Sequence, residues 1–217
     1  MTDFETEGFE IHPGILTESR VRSLRREVDQ LAHEIGQTCV RGIATKSEKI
    51  AELSQLPEMT NLLPSGHSLV RSILFDKTPS QNWPVGWHQD QTVAVSGMVT
   101  TEGYTAWTKK DGFFQVRPPL ELLESMTTLR IHLDEAGADN GPLRVVPGSH
   151  LGGIKNKSGD NSLNSHFECH CHSGDVLRMR PLLVHSSKRA TIPHHRRIIH
   201  LEFANRDALS QNLEWAE

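Results

Sequence analysis

From residue 68 onward the chain is a run of short strand-length segments cut apart by turn residues. This pattern restricts the fold more than any other feature of the sequence. SLVRSILF (68–75), TTLRIHL (127–133), LRVVP (143–147), HFECHCH (166–172), DVLRMR (175–180), LLVHSS (182–187) and RRIIHLEF (196–203) each have the length of a strand. Clusters such as DNGP, PGSH, SGD and IPHH separate them, and these residues favour turns over continued pairing.

The N-terminal part reads differently. Val21, Leu24, Val28, Leu31 and Ile35 fall at steps of three and four, one face of a 3.6-residue period, so 17–35 is expected to be an amphipathic helix. Thr17 suits its start and Gly36 its stop. A second helical stretch is expected over about 47–63, with Ser47 as cap, Ile50, Leu53 and Leu56 as stripe, and Pro64 as terminator. Helices followed by many short strands predict a mainly β fold with the N-terminal helices packed on one sheet of a sandwich or open barrel. The expected organisation is one domain over 1–217, with a helical part at 1–66. The segment 91–126 is weakly periodic yet holds Tyr104, Trp107, Phe113 and Phe114, and reads as an irregular lid insertion.

The totals exclude several partners. The formal net charge is -4, which gives no reason to expect nucleic acid or an anionic membrane. No apolar run approaches the roughly 20 residues that span a bilayer. Cys39, Cys169 and Cys171 make no disulfide framework, and the acidic N-terminus lacks a signal-peptide pattern, so a cytoplasmic location is expected. Thirteen histidines direct attention to metal sites.

GWHQDQ sets His88 and Asp90 two residues apart, and on a strand such positions face the same way. A third ligand has to come from elsewhere, and His185 in PLLVHSS, at the end of an apolar strand, is the best candidate. Two histidines and one carboxylate on one face of an ion leave three positions open, the arrangement that suits ferrous iron. Arg196 lies eleven residues after His185 and can anchor the far carboxylate of a dicarboxylate cosubstrate. Alternation favours it over Arg197: Arg196, Ile198, His200 and Glu202 share the more polar face, whereas Arg197, Ile199, Leu201 and Phe203 share an apolar one. HFECHCH admits a zinc reading, but a single cluster lacks the second pair of ligands that structural zinc takes, and a half-buried strand accounts for it as well. His150 reads as a hydrogen-bonding structural residue.

The set HQD (88–90), NGPLRVVPGSH (140–150), HSS (185–187) and Arg196 resembles the phytanoyl-CoA dioxygenase family of 2-oxoglutarate oxygenases. The resemblance implies a double-stranded β-helix, a cupin-like jelly roll. It implies Fe(II) held by His88, Asp90 and His185, with 2-oxoglutarate and O2 as cosubstrates and Arg196 and Ser187 on the cosubstrate. The implied reaction is hydroxylation of a small-molecule substrate with release of succinate and CO2, by a monomer or homodimer. Family members often carry an aromatic residue where this chain has Arg130. That arginine can be a second cation near the cosubstrate, a charge toward substrate, or an outward-facing strand residue. The spacing from His88 to the strand at 127 is also longer than in many members, and nothing in the sequence points to a coenzyme A thioester. Two other readings compete: a metal-dependent cupin-type isomerase or lyase, and a non-catalytic binding protein on the same fold.

Overall fold

The helices begin and end at their capping residues in the computed structural model, which describes residues 3–155 and 165–217. Asp3 caps α1 (Phe4–Glu7), and Thr17 caps α2 (Glu18–Ile35), its side chain accepting from the Arg20 N–H. Along α2 the predicted stripe of Val21, Leu24, Val28 and Leu31 is buried, while Ile35 at the end is 36% exposed. Each buried member contributes roughly 1.5–3 kcal/mol of transfer free energy.

The second stretch departs from expectation. It is three short helices: α3 (Ile43–Lys46), α4 (Glu48–Gln55) and α5 (Pro57–Thr60). Pro57 is the reason. Leu56, which precedes it, sits at φ −62°, ψ 142°, because the proline ring crowds a helical residue before it. Ser47 ends α3 and caps α4, accepting from the Ile50 N–H at 3.3 Å.

Six strands form the major sheet: β1 (Phe9–His12), β2 (Cys39–Arg41), β3 (His67–Lys77), β8 (Thr127–His132), β11 (Val176–Met179) and β13 (Arg196–Asn205). Their order is β1-β11-β8-β13-β3-β2 and every pairing is antiparallel. The N-terminal part is thus not purely helical, since β1 and β2 supply both edges of this sheet. Strands of three and four residues are too short for alternation to reveal them. One face of the sheet, with Leu74, Leu129, Ile131, Ile199, Leu201 and Phe203, packs on the helices in one apolar cluster. The other face looks toward the minor sheet, which comprises β4 (Val85–His88), β9 (Leu143–Val145), β10 (Phe167–Cys169) and β12 (His185–Ser187) in the order β10-β9-β12-β4. The fold is a double-stranded β-helix, and the candidate site residues lie in the lumen between its sheets.

Residues 91–126 are not an irregular loop. They fold as a third sheet of β5 (Val93–Val95), β6 (Thr105–Lys110) and β7 (Phe113–Arg117) in the order β5-β7-β6, followed by α6 (Leu120–Ser125). Asp111 and Gly112, both at positive φ (50° and 87°), make the two-residue turn between β6 and β7, where Asp-Gly fits the twist of a hairpin. Val93, Val95, Val116, Leu122 and Leu123 pack against Leu209, Leu213 and Trp215 near the C-terminus. The Tyr104 hydroxyl accepts from the Ser210 N–H at 3.0 Å. No helix among the described residues is long and apolar enough to cross a membrane.

Candidate metal and cosubstrate site

β4 and β12 are neighbours, and their register sets His88 opposite His185. The two imidazole centroids are 4.1 Å apart. Each ring sets its Nδ1 2.8 Å from a backbone carbonyl two residues back, Gly86 for His88 and Leu183 for His185. With the Nδ1 protons donated there, both Nε2 lone pairs are left to face Asp90. They lie 3.7 Å from its two carboxylate oxygens, one each. Outer hydrogen bonds of this kind fix tautomer and ring orientation in metal sites.

Asp90 reaches the histidines by a different route from the one its spacing suggests. β4 ends at His88, so Asp90 is not a strand residue. Its N–H donates to the Pro181 carbonyl at 2.9 Å. Gln89 holds the turn, donating to the carbonyls of Gly153 (2.8 Å) and Leu182 (2.7 Å) and accepting from the Lys155 N–H (2.8 Å). The middle residue of HQD is therefore a positioning residue, a role that the motif alone does not reveal. Burial opposes the charge on Asp90, but His185 and His88, when they carry a proton, outweigh that and hold its carboxyl below the usual carboxylate range. Burial lowers His185 to about 4, so its ring is neutral and fit to bind a cation.

A cavity of about 140 Å³ opens from these three residues between the sheets. The pairing of β3, β13 and β8 arranges its major-sheet wall in rungs. Arg196 pairs with Lys77, Ile198 with Phe75 and His132, His200 with Ile73 and Arg130, and Glu202 with Arg71. The alternation in RRIIHLEF is realised: Arg196 lines the cavity, and Arg197 turns to the helical side to pair with Asp134 and Asp29 at 2.8 and 2.6 Å.

Arg196 is 3% exposed and donates to the Gly141 carbonyl, while its Nε–H has no partner. Gly141 is at φ 61°, and a Cβ there would lie 2.6 Å from the Lys188 carbonyl, so the Asn140-Gly141 turn has a steric reason for its glycine. Burial, then the nearby Arg130, lowers Arg196 to about 9. Ser187 lines the same cavity, its Oγ accepting from the Lys77 ammonium at 2.7 Å. Arg130 does not face outward. It is buried in the lumen, 2.9 Å from His200 Nδ1, with its guanidinium 5.7 Å from the centre of the Phe75 ring and its Nε–H without a partner. His200 in turn lies 2.9 Å from Glu202, which pairs with Arg71.

The other expectations resolve simply. His150 is structural, its Nε2 bonded to the Glu5 carbonyl at 3.1 Å. Cys169 and Cys171 are buried, with both thiols pushed up by burial, Cys171 to about 12, and neither belongs to a ligand cluster among the described residues.

The model of the phytanoyl-CoA dioxygenase (PhyH) family matches residues 4–198. The chain belongs to the phytanoyl-CoA dioxygenase family. A relative, phytanoyl-CoA dioxygenase 1 of Oryza sativa subsp. japonica, is 27% identical over 145 residues. That match spans 67% of this chain but only 42% of the rice protein. HygX from Streptomyces hygroscopicus, solved with nickel and 2-oxoglutarate bound, superposes with a TM-score of 0.67 at 18% identity, over 93% of this chain and 84% of HygX. EctD from S. alaskensis, solved with 2-oxoglutarate and 5-hydroxyectoine, gives 0.72 at 18% identity, over 94% of this chain and 74% of EctD. At such identities the likeness speaks for the fold.

Proposed function

We propose that this family member is an Fe(II)- and 2-oxoglutarate-dependent dioxygenase that hydroxylates a small-molecule substrate and releases succinate and CO2. His88, Asp90 and His185 hold the metal, and Arg196, Ser187 and Arg130 receive the cosubstrate. The observation that carries the reading is the convergence of two imidazole Nε2 atoms on the two oxygens of Asp90, each Nδ1 being satisfied by a backbone carbonyl. The donor set is two nitrogens and one carboxylate on one side, the arrangement that suits a ferrous oxygenase. The fit to a dianionic keto acid rests on the unpartnered buried N–H groups of Arg196 and Arg130 in the same cavity. The 2-oxoglutarate in the HygX and EctD structures supports the same cosubstrate.

Bound iron supplies oxygen activation coupled to oxidative decarboxylation of 2-oxoglutarate. The protein's own part is binding and orientation. Arg196 offers a fixed fork to the far carboxylate, and Ser187 offers a hydroxyl beside it. Arg130 sits two rungs up from Arg196, beside His200, where it meets negative charge nearer the metal. Ile73, Phe75, Val85 and Leu143 line the walls between and keep water from the middle of the cavity.

The test is turnover without a prime substrate. Purified protein given Fe(II), ascorbate and 2-oxoglutarate should form succinate slowly, in a reaction needing both additions and abolished by Asp90→Ala. A small-molecule screen read by mass should then yield a product gaining one oxygen atom. Absence of 2-oxoglutarate consumption by metal-loaded wild-type protein contradicts the assignment.

A further inference from the structure

Lys77 is an unexpected residue to find in this lumen. It is 2% exposed, and it ends a β3 face whose preceding members toward the lumen are Ile73 and Phe75. Its register partner on β13 is Arg196. Two of its three ammonium protons are placed: Nζ donates to Ser187 Oγ at 2.7 Å and to the Lys188 carbonyl at 2.9 Å. Among the described residues neither Lys77, Arg196 nor Arg130 has a carboxylate ion-pair partner, whereas Arg71, the fourth cation on this wall, is paired with Glu202. Burying cations side by side without an acid is unfavourable unless an anion completes the set.

We propose that Lys77 is a second anchor for the far carboxylate of the keto acid, acting with Arg196 and Ser187, and that it sets the preference of the site for dicarboxylate over monocarboxylate keto acids. This rests on the function proposed above and adds a residue to it. The geometry gives Lys77 two tasks. Its remaining N–H is available to a carboxylate oxygen beside Arg196. By donating to Ser187 Oγ it occupies a lone pair of that hydroxyl, so the Ser187 proton is turned outward to the ligand. Burial, then Arg196 and Arg130, lowers Lys77 to about 7, which lets the empty cavity shed one of its adjacent charges. The arriving carboxylate favours the charged form again.

The test is binding, not turnover. Full-length protein loaded with Mn(II) under anaerobic conditions is titrated calorimetrically with 2-oxoglutarate and with 2-oxobutyrate, which keeps the keto acid and lacks the far carboxylate. Lys77→Met, which retains the aliphatic stem, and Lys77→Gln, which keeps a neutral donor for Ser187, should each weaken 2-oxoglutarate by about 10- to 100-fold, the usual loss for a charged hydrogen bond. Both should leave 2-oxobutyrate affinity within about twofold. A residue that merely shapes the cavity would change both ligands alike, and that outcome, or unchanged 2-oxoglutarate affinity in folded variants, overturns the inference.

Should neither variant fold, wild-type protein decides. The charged groups facing Lys77 are Arg196 from β13 and Arg130 from β8, with the neutral His132 between them, and Ser187 and the Lys188 carbonyl face it from the end of β12. At pH 8, in two buffers of different ionisation enthalpy, 2-oxoglutarate should take up a proton that 2-oxobutyrate does not. Equal proton uptake for the two ligands refutes the inference. If wild-type protein binds neither keto acid, the cosubstrate assignment itself fails instead.

Discussion

His88 and His185 are held by the same device. Each is bonded through Nδ1 to the carbonyl two residues before it, and the β4–β12 register brings the two rings side by side, their planes tilted by 52°. Each ring is thus oriented by the backbone just before it. His88→Ala, Asp90→Ala and His185→Ala should each retain the fold and lose metal, lowering activity by at least 100-fold. Metal content after gel filtration, read beside a circular dichroism melt, checks this. A folded variant that keeps stoichiometric metal removes its residue from the site.

Arg196 and Arg197 are adjacent but serve different layers. Arg196→Ala should raise the 2-oxoglutarate requirement by an amount equivalent to about 2–5 kcal/mol, the range for losing one partner of a buried charged pair. Arg197→Ala removes ion pairs with Asp134 and Asp29 instead. It should lower the melting temperature while leaving the 2-oxoglutarate dependence within about twofold. The opposite order of effects on cosubstrate dependence contradicts the face assignment.

The metal-free protein should lose stability as pH falls from 6.5 to 5.5. Burial lowers the pKa of His132 well below 6.5 and also lowers that of His200. His132 stays neutral in the native state where the unfolded chain takes up protons, and His200 protonates less readily than in the unfolded chain, so unfolding absorbs protons and acid favours it. Each such group contributes up to about 1.4 kcal/mol per pH unit in this window. Thermal melts at several pH values measure the slope. A melting temperature flat or rising toward pH 5.5 shows that these rings are not held neutral.

The third sheet should be a wall over most of its length. β5 and β7 bury Val93, Val95 and Val116 against the C-terminal residues, so lifting 91–126 as one body exposes that cluster. Hydrogen exchange should show strong protection at 93–95 and 113–117 with or without Mn(II) and 2-oxoglutarate. Any change on ligand addition should be confined to about 96–104, where Met98 and Val99 are exposed. Fast exchange across β5 and β7 that slows on ligand binding restores a lid of the whole segment.

Much of the site was legible because strand alternation has a fixed period. It put Arg196 on the polar face and Arg197 on the apolar one, and HQD with a later histidine named the three candidate ligands. Other parts were not legible for identifiable reasons. The break at Leu56 depended on Pro57, whose effect competes with an apolar stripe that continues through it. β1, β2 and β5 are three or four residues long, below the length at which alternation is visible. Asp90 reaches His88 and His185 through a segment pinned by Gln89, a tertiary contact with no sequence period. Lys77 carried a readable signal, since Ile73, Phe75 and Lys77 alternate toward one face, but the apolar run ends at Phe75 and the strand continues past it. Only pairing with Arg196 across β13 shows why a lysine stands there.

The most direct measurement of the central claim is anaerobic calorimetry of 2-oxoglutarate binding to wild-type and Asp90→Ala protein, each with and without Mn(II). The account predicts one keto acid per chain, binding that is tight only when metal is present in the wild type, and no metal-dependent component in Asp90→Ala. Metal-independent binding of equal strength in both proteins, or no binding to metal-loaded wild type, would contradict the assignment of His88, Asp90 and His185 as the metal centre of a 2-oxoglutarate enzyme.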